Sequence, residues 1–209
     1  MAFAAQQPDE ETGFPIFGAF GTRVEDEVEL KRELRWELQD VAPAGEATEQ
    51  AIEQIISAFQ RQMPGSSAQQ LWNIIKSDMA FPVSAIMCAD RCAAHTDRVW
   101  LYRFDGYGSE MAYHAWDIAP VFGNPLTAVM TAEKQARFDQ LHADMSGAWL
   151  AFARGESPGW DAFEGVGGAE MRFDCPESRA VMTDGEEGVA TLLGLFERWY
   201  GAAAGVARL

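Results

Sequence analysis

Positive charge is scarce in this chain. Sixteen Lys and Arg stand against 32 Asp and Glu, a formal net charge of −16 over 209 residues. A surface of that sign repels phosphate backbones and anionic lipid, so neither nucleic acid nor a membrane surface is an expected partner. Long apolar runs are missing too, and no membrane span is expected. The first seven residues, Met1 to Gln7, have neither a basic stretch nor a long apolar core and do not read as a signal peptide. They leave the compartment open, cytoplasmic or secreted, for a soluble protein. Three cysteines, Cys88, Cys92 and Cys175, give no even disulfide framework. Cys88 and Cys92 lie four apart on an expected helix, share a face, and are expected to be buried free thiols. Histidine is as rare, at His95, His114 and His142, with no HExxH or paired CxxC. No metal and no cofactor is therefore expected.

What is present is a chain 48% hydrophobic, enough for one sizeable core and hence one domain or a large piece of one. The stretch to about Gly21 is irregular, punctuated by Gly13, Pro15, Gly18 and Gly21. Thr22-Arg23-Val24-Glu25 has capping-box spacing, and Val24, Val28, Leu30, Leu34 and Leu38 follow as an apolar stripe, which predicts a first helix. A second follows Thr48, with Ile52, Ile55, Ile56 and Phe59 on one face, and stops at Pro64-Gly65. Ser67 with Gln70 caps a third, and Pro82 is placed to open a fourth.

The period then changes. Arg98-Val99-Trp100-Leu101-Tyr102-Arg103-Phe104, closed by Asp105-Gly106, reads as a strand buried on both faces. Thr131 to Arg154 reads as a helix with Phe138, Leu141, Met145, Trp149 and Phe152 at helical intervals. Two short strands, 170–173 and 179–182, and a helix from about Gly185 to Tyr200 complete the chain. One strong strand cannot make a sheet, and a doubly wound domain would alternate strand and helix throughout. The choice lies between an unusual α+β domain and a sheet whose remaining strands lie elsewhere; the second is favoured.

Few residues could carry chemistry. His114 lies about ten residues beyond the strong strand, in a segment beginning Gly106-Tyr107-Gly108, where a general base could meet substrate at a sheet's C-terminal edge. Glu10, in Pro8-Asp9-Glu10-Glu11-Thr12, could orient and charge-balance an imidazolium, and on chemistry alone so could Asp9 or Glu11. Asp117, three residues after His114, is either a supporting acid or a helix N-terminal carboxylate. A nucleophile is lacking. The strained elbow that exposes a catalytic serine is a G-x-S-x-G turn between a strand and a helix, and Gly65-Ser66-Ser67-Ala68-Gln69, which follows a helix and Pro64, lacks the last glycine and reads as a helix-capping loop.

Four segments, in order, resemble the C-terminal part of the type-B carboxylesterase/lipase family, which includes the cholinesterases. They are Pro8-Asp9-Glu10-Glu11-Thr12, Val99 to Phe104, Met111-Ala112-Tyr113-His114-Ala115-Trp116-Asp117 running on to Val121-Phe122-Gly123, and Met145 to Arg154 with Pro158 and Trp160. A weaker likeness follows at Met171-Arg172-Phe173-Asp174. The resemblance implies an α/β fold, the helix-rich C-terminal part of an α/β-hydrolase with few strands of its sheet. It implies the order acid, then histidine: Glu10 as triad acid and His114 as base, with Glu11 the alternative acid and Asp117 close by. Glu11 replaces the family's glycine after the acid, and Met111 replaces the glycine of the histidine segment.

By the same resemblance, residues 1–21 hold the acid, 22–97 form a helical lid and gorge region, and 98–209 hold the last core strand, the histidine segment and the C-terminal helices. Trp36, Trp72, Phe81 and Trp116 are then candidates for a pocket wall. The implied activity is carboxylic-ester hydrolysis of a small-molecule ester through an acyl-enzyme. This chain would supply acid and histidine without the serine, and would be inactive alone. The alternatives are a non-catalytic esterase-like binding or adhesion domain, an inactive remnant, and a self-standing α+β interaction domain.

Overall fold

Local sequence signals decide where the helices form, and long-range pairing decides the sheet. The computed structural model describes residues 22–43, 45–106, 115–124, 131–174, 177–182 and 186–206. Two compact units divide them: one contains 22–83 and 186–206, the other 84–182. The expected sections 22–97 and 98–209 cut the chain differently.

The first unit is helical. Helix α1 (Glu27–Leu38) is capped by Asp26, whose carboxylate accepts the Glu29 N–H at 2.9 Å. The expected cap at Thr22 is thus four residues too early. Residues 22–25 approach without helical structure, and the Val24 N–H donates to Gln69 Oε1 at 2.9 Å. Leu30, Leu34 and Leu38 are fully buried on one line, whereas Val28, off that line, is 77% exposed. Helix α2 (Glu46–Gln62) buries Ile52, Ile55, Ile56 and Phe59 as their spacing predicts.

Helix α3 (Ala68–Asp78) opens on a complete capping box. The Ser67 hydroxyl accepts from the Gln70 N–H, and the Gln70 side chain accepts from the Ser67 N–H. Gly65-Ser66-Ser67 is accordingly a capping loop. Pro82 does not start a helix. It lies inside a π-helical turn, Met79–Val83, whose wider hydrogen-bonding pattern accommodates a residue without an N–H. Helix α7 (Glu187–Val206) packs on α2, and the contact is close at Gly188. A Cβ there would lie 2.5 Å from the Phe59 ring, whose side chain is fully buried.

The second unit starts with α4 (Ser84–Ala93) and contains a three-stranded sheet in the order β1-β2-β3. Strand β1 (Leu101–Phe104) pairs in parallel with β2 (Ala169–Phe173), which pairs antiparallel with β3 (Arg179–Met182). Leu101 and Tyr102 point to opposite faces and both are buried, as a strand covered on two sides requires. Strand β1 is shorter than its apolar run, with residues 98–100 outside it.

Between β1 and β2 come α5 (Ile118–Phe122) and α6 (Ala132–Ala153), the latter capped by Thr131. Phe138, Leu141 and Met145 of α6 are buried as expected, but Trp149 and Phe152 are 42% and 50% exposed. The core here is largely aromatic: Tyr102, Phe104, Trp160 and Phe173 pack with Leu141, Met145 and Ala148.

Candidate active site

Glu10, Glu11 and His114, together with Met111 and Cys175, lie outside the described residues. What is described is the frame on either side of the histidine segment: β1 with Asp105-Gly106 before it, and Ala115-Trp116-Asp117 with α5 after it.

Asp117 joins the two sides. It occupies the N-cap position of α5, yet its carboxylate caps no backbone N–H. Instead Oδ2 accepts the Tyr102 hydroxyl proton at 3.3 Å, a long contact that ties the start of α5 to β1. Burial holds the Tyr102 phenol far above its ordinary range, and the Asp117 carboxylate raises it further, so the hydroxyl stays a donor at any physiological pH. Ala115 has φ +67°, a left-handed conformation that costs an L-residue with a Cβ roughly 1–2 kcal/mol. Backbone strain of this kind concentrates where geometry matters more than stability.

Helix α5 is fixed from its far end as well. Gly123 terminates it at φ +68°, and a Cβ there would come within 2.9 Å of the His142 ring. The His142 Nδ1 is 2.8 Å from the Pro120 carbonyl, and its ring stacks on Phe138. His142 is thus a packing residue, and His95 is exposed.

Before the histidine segment, the end of β1 is held by charge. Arg103 Nε lies 2.9 Å from Asp105 Oδ1, and the Asp105 N–H donates to the Phe173 carbonyl at 2.9 Å. Arg172 binds Glu170 at 3.0 Å and stands 3.9 Å from Asp105. Burial pushes the Glu170 carboxyl up, and the Arg172 and Arg103 guanidinium groups pull it partly back.

On the same unit an apolar hollow of about 70 Å³ lies among Trp100, Tyr102, Trp149, Phe152, Pro158 and Trp160. The Trp160 indole donates to the Leu101 carbonyl at 3.1 Å, and the Trp100 indole to the Trp160 carbonyl at 3.2 Å. None of Trp36, Trp72, Phe81 and Trp116 lines it: Trp36 is 66% exposed, Trp72 is buried in the helical unit, and Trp116 packs against the aromatic core. The hollow was not anticipated. Its signal was the recurrence of tryptophan at 100, 149 and 160, whose meeting depends on tertiary folding. Among the described residues no group of three or more His, Cys, Asp or Glu could hold a metal ion. None of the described helices is long and apolar enough to cross a membrane.

Solved esterases share this architecture. An esterase of Aspergillus niger, EstA, superposes with a TM-score of 0.66 at 11% identity, covering 86% of this chain and 37% of its own. PNB esterase does so with a TM-score of 0.59 at 20% identity, covering 88% of this chain and 36% of its own. The fold is therefore an α/β-hydrolase fold, present in part and rich in helix, and the chain spans little more than a third of the length of either structure.

The profile of the carboxylesterase family matches residues 11–170, and the chain belongs to that family. The match begins at Glu11, so it does not choose between Glu10 and Glu11. No curated protein sequence gives a match.

Proposed function

We propose that this chain supplies the acid and the base of a serine carboxylesterase, with His114 as general base and Glu10 as its orienting acid. Glu11 is the alternative acid, and Asp117 is a support of the histidine segment. Residues 1–21 would hold the acid, 22–97 the lid and gorge wall, and 98–209 the last core strand, the histidine segment and the closing helices. The observation that carries this reading is the family match across 11–170, which spans β1, His114 and Asp117 in one stretch. Support comes from β1, which enters the histidine segment directly, and from the strained Ala115 just after it.

The chemistry is acyl transfer in two steps. His114 takes the proton of a serine hydroxyl as that oxygen attacks the ester carbonyl, then gives it to the departing alcohol. Water, deprotonated by the same imidazole, attacks the acyl-enzyme and releases the carboxylic acid. The carboxylate of Glu10 stabilises the imidazolium formed in each step. The serine is expected from outside these 209 residues: Gly155-Glu156-Ser157-Pro158-Gly159 spells G-x-S-x-G, but it follows a helix and forms a turn in which the Ser157 hydroxyl donates to the Trp160 carbonyl at 3.4 Å, not the strand-to-helix elbow that exposes a nucleophile.

Alone, the chain is expected to turn over a short nitrophenyl ester no faster than free imidazole at equal concentration. A fluorophosphonate probe is expected to label none of its serines. Rapid turnover abolished by His114→Ala, or labelling of Ser157, Ser66 or Ser67, would overturn the proposal.

A further inference from the structure

Cys88 and Cys92 have no part in ester chemistry, yet they stand together. They lie on consecutive turns of α4, so their Cβ atoms are ~5–6 Å apart on one face. Both are free; Cys88 is half-buried and Cys92 is exposed, which corrects the expectation that both are buried. Burial pushes the Cys88 thiol up, the neighbouring Cys92 raises it further, and the Arg91 guanidinium opposes both effects. A half-buried cysteine one helical turn from an exposed one has both an anchor and an entrance.

We propose that Cys88 and Cys92 form a two-thiolate site for a soft monovalent cation, Cu(I). Thiolates select soft ions, and Cu(I) accepts two of them without further ligands. Two metal–sulfur bonds of ~2.3 Å in line span about 4.6 Å, close to what the two Cβ positions can offer with a modest side-chain opening. Zn(II) is disfavoured: it requires four ligands, and among the described residues no third His, Cys, Asp or Glu joins the pair. Binding releases two protons: two thiols and one Cu(I) give a bis-thiolate complex of charge −1, with no change of oxidation state.

The test is an anaerobic titration of the whole chain with Cu(I) against a chromophoric Cu(I) chelator, with the mass of the loaded species measured in parallel. One ion per monomeric chain is expected. Cys92→Ser and Cys88→Ser should each weaken binding on the order of 100-fold, the loss expected when two linked ligands become one. Cys175→Ser should leave affinity unchanged. Since Cys92 is exposed, Cys92→Ser removes a ligand without opening the core, and its far-UV circular dichroism should match the parent's. Retained affinity in either single variant, loss in Cys175→Ser, or half an ion per chain with doubled mass would overturn the site.

Discussion

The two units of this molecule solve the same problem with different materials. In the helical unit the core is chiefly aliphatic, built from Leu30, Leu34, Leu38, Ile52, Ile55, Ile75 and Leu192, with Phe59 at the contact between α2 and α7. Its helices satisfy their own backbones, and its charges are spent on exposed pairs such as Arg35–Glu49 and Arg61–Glu187, which contribute little to stability. In the sheet unit the core is largely aromatic and the charges at the end of β1 are half-buried or buried. There indole N–H groups reach backbone carbonyls, and the described sheet ends at β1 with a strand on one side only. Closed helical packing makes a support. Among the described residues β1 has a strand on one side only, and a strained Ala115 with exposed Trp149 and Phe152 fits the proposed placing of His114 in this unit.

If aromatic packing holds the sheet unit together, its keystone is Trp160. It is 9% exposed, edge-on to Phe173, and its indole satisfies the Leu101 carbonyl. Trp160→Ala should cost about 3–5 kcal/mol, the range for a buried aromatic truncation, and should speed amide exchange in β1 and β2. Chemical denaturation and exchange measurements read both. Unchanged exchange at Leu101 to Phe104 would mean that strand pairing, not the tryptophan, holds the sheet.

The helical unit is sharpened by adding atoms. Gly188→Ala raises helix propensity by roughly 1 kcal/mol but drives a methyl into the enclosed Phe59 ring. Overpacking of that kind costs about 1–3 kcal/mol, so a net loss is expected. A stabilised variant by thermal unfolding would show that α2 and α7 can separate at no cost.

The two units also differed in how far they could be read in advance. Helices answer to neighbours three and four residues away, so the capping box at Ser67-Gln70 and the α2 stripe were legible, whereas Thr131, expected within α6, caps it instead. The errors were local competitions: Asp26 outdid Thr22 as a cap, and a π-turn absorbed Pro82. The three strands were legible as segments. Their order, the Tyr102–Asp117 contact and the tryptophan hollow were not, because each depends on residues that meet only through the fold. Asp117 drew attention through its spacing from His114, whereas nothing local in the sequence marks Tyr102 as its partner.

The finest separation of the two units is electrostatic. Their exposed pairs are screened, but Glu170 is 6% exposed, and burial raises its carboxyl despite Arg172. A raised folded-state value means that the protonated form suits the fold better. Its contribution is therefore fully favourable below the unfolded carboxyl value of ~4.3 and is lost as pH rises through the raised one. At neutral pH the ionised group is carried at a cost that Arg172 offsets only in part. Glu170→Gln cannot ionise and can still accept from Arg172. It should therefore unfold at slightly higher denaturant than the parent at pH 7, with the advantage gone by about pH 4. A variant weaker at pH 7 would mean that the pairing with Arg172 outweighs desolvation. The charges of the sheet unit would then stabilise it, and the contrast with the helical unit would rest on its aromatic packing alone.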